Sequence, residues 1–506
     1  MPGEDRTPVL VGVAQLTLRD ASIERALEPI AMLEQVARDA AEDAGLGERL
    51  LHSLDSVAIV NVLGWRATNP AAFLAERIGA QPKRTILTGT GGEIPLVLLG
   101  HMASEIEAGR SRAALVAGCN TLRTALRARR AGRRFGWATG PESSPFALGV
   151  HKAGSSELEN LYGLSTPPVV YPIFENALRA RRGLSLEAHR LGMGRLMSRM
   201  SAVAAKNPHA WFPVARDPEE LTKPSPQNRM IAFPYPKYLN AVIETDQAAC
   251  ALVLSAAHAR ELGIAENLWV HLWAAAAATE DIWFPTQRAS FAECSALRRA
   301  ATEALARAGT ALGEMDAMDF YSCFPVAVEM ACEMLGLSED DPRGFTVTGG
   351  LPYAGGPGNN YTLHAVAAMV ERLREVPGRR GLVTGNGWYL TKHSACVLAS
   401  APRPQAAAKA AFAPPDEAAP TAPKVRQPEL AEAASGPAAV ETYTVTYDRE
   451  GAPERGIVVG RLLDGRRFLA HTPGERALLE DFAAHEGVGR KGAVSHENGK
   501  NLFTPA

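Results

Sequence analysis

Four short stretches carry residue types and spacings that could do chemistry. In FYSCF, Phe320–Phe324, the phenol of Tyr321 and the thiol of Cys323 stand in one strand-like run. A phenol can donate a proton or hold an oxyanion. A thiol, once deprotonated, can attack a carbonyl and carry an acyl group. TGGLPYAGGPGNNY, Thr348–Tyr361, adds the hydroxyls of Tyr353 and Tyr361, the bare backbone of Gly355 and Gly356, and the amides of Asn359 and Asn360. His364 follows one turn into the next helix. GNGWYLTKH brings Gly385, Asn386, Gly387 and His393 together, and TGTGGEIP sets Gly89, Gly91 and Gly92 before Glu93, in the first turn of an expected helix. Acid–base groups among amide donors suit a reaction that builds charge on a carbonyl oxygen. Each group also has a plain structural reading. Cys323 can be a packed core thiol, Tyr321 a buried phenol satisfied by backbone, and His364 a structural histidine. Glu93 can complement a helix N-terminus, and the asparagines can form turns.

The elements that must position these groups repeat. ARDAAEDAG reads as a helix ending at Gly45, and LDSVAIVNV as a strand. The strand RTILT, a glycine turn, the helix LVLLGHMASEIEAG and the strand SRAALVAG follow. The second half echoes this order with ATEALARAG, MDAMDFYSCF, FTVT, a glycine turn, YTLHAVAAMVERLRE and RRGLVTGNG. Alternating strand and helix predict an α/β body with a buried, mostly parallel sheet, and the echo predicts duplication. The division expected is 1–120 for the first half, 121–240 for a glycine-, arginine- and proline-rich insertion, and 241–262 for the end of the first half. The second half follows at 263–400, then an Ala/Pro-rich linker at 401–439. In 440–506, β-branched alternation with turns at DREG and LDGRR predicts a small β-rich barrel or sandwich.

Composition excludes several classes. A net charge of −2 over 506 residues gives no electrostatic reason for a nucleic-acid or acidic-membrane partner. The six cysteines form no CxxC pair, so neither a zinc centre nor a disulfide framework is expected, and no metal is assigned. No stretch reads as a signal peptide or a transmembrane run, which predicts a soluble cytoplasmic protein. GTGG follows a strand and opens a helix but lacks the third glycine of a dinucleotide fingerprint.

Taken together, the motifs resemble the thiolase superfamily. PVLVGVAQ is similar to its opening strand and ETDQAACALVLS to its Asp-Gly-Ala-Ala segment, with Gln247 where glycine is usual. FYSCF resembles the His-Asp-Cys-Phe motif of sterol-carrier-protein-type thiolases. GGLPYAGGPGNNYT resembles the GHP loop, and GLVTGNGWYL the Cys-x-Gly loop. The similarity runs from Thr7 to Ser400. With the β-rich tail it looks closest to thiolase-like protein type 1, the subgroup with an additional C-terminal domain. The resemblance implies a thiolase fold: duplicated β-α-β-α-β halves with mixed sheets and helices between and outside them, a long insertion, and a C-terminal barrel- or OB-like domain. It also implies action on coenzyme A thioesters, with coenzyme A as part of the substrate and no other cofactor, in a monomer or homodimer.

The same resemblance shows what is missing. The position of the nucleophilic cysteine falls on Gly89, that of the GHP histidine on Gly356, and that of the second cysteine on Val383. Tyr321 stands where the fourth motif opens with Asn or His, and only Cys323 survives. Three readings follow. One is an acetyl-CoA acetyltransferase-like enzyme in which Cys323 acts as nucleophile or acid/base; Asn386 and His393 are further catalytic candidates. Another is a retro-aldolase on β-hydroxyacyl-CoA using Tyr321 and Tyr353, like the thiolase-like aldolases that work with a separate OB-fold partner. The third is an acyl-CoA binding protein without chemistry. Arg127 and Arg129, in TALRARRAGRRFG, could pair with the phosphates of coenzyme A.

Overall fold

In a computed structural model, the chain is described over residues 5–403, 412 and 426–506. Most of the expected linker, 404–411 and 413–425, lies outside the described residues. In the first half the strands are β1 (Pro8–Thr17), β2 (Ser56–Ile59), β3 (Arg84–Thr88) and β4 (Ala113–Thr121). The insertion adds β5 (Phe146–Leu148), β6 (Met230–Ala232) and β7 (Tyr235–Pro236), and β8 (Asp246–Ser255) follows it. The second half supplies β9 (Val270–Thr279), β10 (Ala317–Asp319), β11 (Arg380–Gly387) and β12 (Lys392–Ala399). One sheet runs β10-β11-β12-β9-β1-β8-β4-β2-β3-β5. Its inner strands are apolar along their length because both faces are covered, and β8 is buried at every position.

The duplication is visible in the pairing. From β1, the run β1-β8-β4-β2 is antiparallel, antiparallel, then parallel; from β9, the run β9-β12-β11-β10 repeats that pattern. The halves join where β1 meets β9, Val9 opposite His271 and Leu10 opposite Val270. The helices Ile94–Glu107 and Tyr361–Arg374 lie between the half-sheets and touch strands of both. Such a helix must be apolar all round, and Ile94–Glu107 is buried at most of its positions. Outside, the helix Pro29–Asp43 covers β1, β4 and β8, and the helix Ser295–Ala308 covers β9 and β12.

The repeat breaks at FTVT, expected as a strand and found irregular. The carboxylate of Asp319 accepts hydrogen bonds from the Val347 N–H and the Thr346 hydroxyl, both at 2.9 Å, and a side chain thereby takes the place of a ladder.

The insertion is helical rather than a mere loop, with its longest helices at Pro167–Arg181 and Leu186–Ala204. It lends β5 to the edge of the large sheet beside β3, and β6 to the C-terminal domain. That domain contains β13 (Gly436–Tyr447), β14 (Pro453–Leu462), β15 (Arg467–His471), β16 (Lys491–Glu497) and β17 (Lys500–Pro505). β13 pairs with both β14 and β16, closing a five-stranded barrel through β15 and β17. Residues 426–439, expected as linker, already belong to it: Ala431 N–H bonds the Arg467 carbonyl, and Ala438 is buried in the barrel core. Alanine and proline content hid a strand there.

The barrel is docked on the body. Arg467 is fully buried, pairs with Glu441 at 2.5 Å, and donates to the carbonyls of Thr286 and Arg288. No helix among the described residues is long and apolar enough to cross a membrane.

Candidate active site

The expected site residues divide between a common centre and the surrounding packing. At the centre, the turn after β3 meets the segment after β10 and the end of β11, where ligands gather in α/β sheets. Gly89, Gly91 and Gly92 have no room for side chains. A Cβ on Gly89 would lie 2.8 Å from the carbonyl oxygen of Val150, in the segment continuing β5. On Gly91 it would overlap the Glu93 carboxylate, and on Gly92 the Tyr321 hydroxyl. A side chain at Gly89 is therefore excluded by space, because the insertion backbone at Gly149 and Val150 fills the volume it would need.

Tyr321 is half-buried, packs edge-on against Tyr361 with ring centroids 5.5 Å apart, and its hydroxyl has no hydrogen bond among the described residues. Burial, with Cys323 and Glu93 nearby, holds its phenol well above the ordinary value, so it is a neutral donor. Cys323 is 7 % exposed, and burial pushes its thiol up to about 12 against hydrogen bonds from Tyr171 and Asn386. It is a neutral thiol with no base among its hydrogen-bonding partners.

Beneath Tyr321 lies a buried ion pair, Lys392 Nζ to Glu93 Oε1 at 2.6 Å, and the ammonium also donates to the Thr90 carbonyl. The other Glu93 oxygen is buried without a partner. Burial raises the Glu93 carboxyl above its ordinary value while Lys392 pulls it back. Gly385 and Gly387 allow this closeness: a Cβ on Gly385 would stand 2.7 Å from Glu93 Cα, and one on Gly387 would overlap the carboxylate. These two glycines serve packing. Between them, Asn386 donates to the Tyr171 hydroxyl at 2.9 Å and leaves its own amide oxygen buried and unpaired.

Other expected residues are drawn elsewhere. His393 alternates with Lys392 and Ser394 along β12 and points to the opposite face of the sheet, where its Nε2 lies 3.1 Å from the Cys294 sulfur. Burial lowers it to about 3. Tyr353 is buried with an unpaired hydroxyl whose charged neighbours are Arg216 and Glu220 of the insertion, not the Tyr321 group. The Tyr361 hydroxyl is tied to Thr348 and Asp319, and His364 pairs with Gln15 of β1 at 3.0 Å.

The loop asparagines act as clamps. Asn359 accepts from the Gly91 N–H at 3.0 Å and donates to the Asn61 carbonyl at 2.8 Å, while Asn360 donates to Gly118. Gly355, at φ +104, makes room for the Gln247 side chain. Gly356 N–H bonds the Val242 carbonyl, and a Cβ there would press on that same oxygen at 3.3 Å. Arg127 donates to the Ala21 carbonyl, whereas Arg129 is exposed.

Lys392, Tyr171, Arg288 and the turn holding Trp388 and Leu390, none of them singled out by the sequence, complete the centre. Lys392 is adjacent to a residue that the sequence singled out, and only strand register decides which of the two faces inward. Tyr171 comes from the insertion, and its hydroxyl lies between Asn386 and the Trp388 carbonyl. Trp388 and Leu390 hold positive φ, 56° and 51°, in the turn after β11. The buried Arg288 grips that turn through the carbonyls of Tyr389 and Leu390. Strained non-glycine residues of this kind cluster at functional turns.

A duplicated mixed sheet around two buried helices, with the family's loops converging on a turn that lacks a nucleophile, defines a protein of the thiolase superfamily. A profile described as "Thiolase-like protein type 1 additional C-terminal domain" matches residues 420–499. A monomeric SCP2-thiolase like protein type 1 from Mycobacterium smegmatis is 33% identical, with TM-score 0.82, and the match covers 99% of this chain and 100% of that one. The chain belongs to the SCP2-thiolase-like protein type 1 family. An "Ltp2-ChsH2(DUF35) aldolase" shares the fold at 17% identity and TM-score 0.60, covering 78% of this chain and 98% of that one. Acetyl-CoA acetyltransferase from Syntrophomonas wolfei does so at 15% and 0.55, covering 79% and 100%. No curated protein matches the sequence.

Proposed function

We propose that this protein acts on coenzyme A thioesters and breaks or makes a carbon–carbon bond beside the thioester without a covalent acyl-enzyme. Retro-aldol cleavage of a β-hydroxyacyl thioester suits its groups best. The observation that carries this reading is the unpaired hydroxyl of Tyr321, a neutral donor set against a glycine turn with no space for a nucleophile. In the cleavage, a base removes the proton of the β-hydroxyl and the Cα–Cβ bond breaks. An aldehyde or ketone leaves, and the bonding pair moves onto the thioester oxygen as an enolate. The Tyr321 O–H donates to that oxygen, and a proton returned to Cα releases the shortened thioester. Glu93 is the base: Lys392 keeps it charged, burial makes it more basic, and one oxygen is unpaired. The name of the Ltp2 relative, an aldolase, agrees with this chemistry.

Acetyl-CoA acetyltransferase-like transfer would require a thiolate at Cys323, and a thiol held at about 12 without a base opposes it. The test is incubation with a series of β-hydroxyacyl-CoA thioesters, following carbonyl release, alongside acetyl-CoA with intact-mass analysis. Carbonyl release without a mass increment is expected. An acetyl adduct on Cys323 would return the acyltransferase reading, and binding with neither outcome would leave a binding protein.

A further inference from the structure

Behind Tyr171 and Cys323, three helices bring Glu175, His189 and Glu329 to one point, and these residues are 0 %, 4 % and 1 % exposed. His189 Nε2 lies 2.5 Å from Glu175 Oε1 and 3.8 Å from Glu329 Oε2. One ligand atom from each residue lies within 4.8 Å of the others. The Tyr235 hydroxyl bonds the second oxygen of Glu175. The second oxygen of Glu329 is buried and has no hydrogen-bond partner that meets distance and angle limits among the described residues. Two carboxylates so far from water need compensation. The nearest guanidinium, Arg182, is 3.5 Å from Glu329 but closer to Glu333 and Glu339, at 3.1 and 2.6 Å.

The geometry points to a divalent transition-metal site formed by His189, Glu175 and Glu329, with the Tyr235 hydroxyl orienting Glu175 through its second oxygen. Bonds of roughly 2.0–2.2 Å in a tetrahedral set place neighbouring donors roughly 3.3 Å apart. The two measured separations fall on either side of that spacing, so small side-chain shifts bring the set together. One imidazole with two carboxylates suits Zn²⁺ or Mn²⁺ better than Mg²⁺ or Ca²⁺.

The ion joins two helices of the insertion to the helix Pro325–Leu335, which begins two residues after Cys323. Phe324 stacks on Tyr171 at 4.4 Å and on Tyr235 at 5.5 Å, so the cluster is in direct packing contact with the candidate active site. The metal is therefore a positioning element that fixes Tyr171 and Cys323, whatever reaction the site performs.

Elemental analysis of the purified full chain, with thermal melts in chelator and after adding Zn²⁺ or Mn²⁺, tests the site without any variant. About one equivalent of metal per chain is expected, with a melting temperature that falls in chelator and recovers with the metal ion alone. Glu329→Gln keeps the shape, removes a charged ligand, and is expected to lose both the metal and the chelator response. A metal-free chain whose melting ignores chelator and added ion, yet shifts with pH, would overturn the proposal. Such a result would assign the cluster to a carboxyl pair sharing a proton.

Discussion

The two halves use the same device, a glycine turn feeding a central helix, and finish it differently. Before the helix Tyr361–Arg374, the turn is tied down: Thr348 and Tyr361 bond Asp319, Asn359 bridges to Gly91 and Asn61, and Asn360 holds Gly118. Before the helix Ile94–Glu107, the turn leaves one Glu93 oxygen unpaired among the described residues, and the Tyr321 hydroxyl of the other half stands against Gly92. Duplication copies a scaffold; the group left unpaired in the first turn lies beside Tyr321, whereas the Tyr353 hydroxyl left unpaired in the second has Arg216 and Glu220 as its charged neighbours. The loop that resembles the family's histidine loop is here the clamp.

The largest expected effect breaks the reactive turn outright. Lys392→Met leaves Glu93 buried without its cation, and loss of one partner of a buried pair costs about 3–5 kcal/mol, read by urea denaturation. Tyr321→Phe sharpens the comparison. It should lower carbonyl release by about 100-fold or more, the scale for one oxyanion donor, and leave the melting temperature unchanged because the hydroxyl bonds nothing in the fold. Asn359→Ala attacks the clamp and should do the opposite. The Gly91 N–H and the Asn61 carbonyl lose their partner, at about 1–3 kcal/mol of stability.

A smaller effect lies in the pH profile. The folded-state Glu93 carboxyl is raised above its ordinary value by burial, so it takes up its proton sooner as pH falls. Carbonyl release should then decline on the acid side with an inflection above the usual glutamate range, and an inflection at or below that range would remove Glu93 as the base. Smallest of all, Cys323→Ala should change carbonyl release by less than about tenfold, since a neutral thiol contributes only packing and a weak hydrogen bond.

Much of the scaffold was legible in the chain. The repeated order of helices, strands and glycine turns gave the duplicated body, and β-branched alternation gave the barrel. What escaped depended on long-range packing. FTVT has a strand's composition, yet Asp319 takes its backbone donors. Lys392 and His393 are adjacent, and only the pairing of β12 with β9 and β11 sends the lysine toward Glu93 and the histidine toward Cys294. Tyr353 reads as a partner for Tyr321 because both lie near glycine-rich turns, but its hydroxyl is buried and unpaired among the described residues, with Arg216 and Glu220 as its charged neighbours. Tyr171 carried no local signal, because its role arises from an insertion helix whose tyrosine hydroxyl reaches Asn386 and Trp388 at the end of β11. That TGTGGEIP holds no cysteine was readable in the chain. That the Val150 carbonyl occupies the space beside Gly89 was not.

In the proposed reaction Tyr321 holds the thioester oxygen and no cysteine bonds the acyl carbon. A crystal structure with a bound β-hydroxyacyl-CoA or a non-cleavable analogue tests it most directly. The thioester oxygen is expected about 2.6–3.2 Å from Tyr321 Oη, with Cys323 unmodified. An acyl group bonded to Cys323, or a thioester seated away from Tyr321, would contradict it.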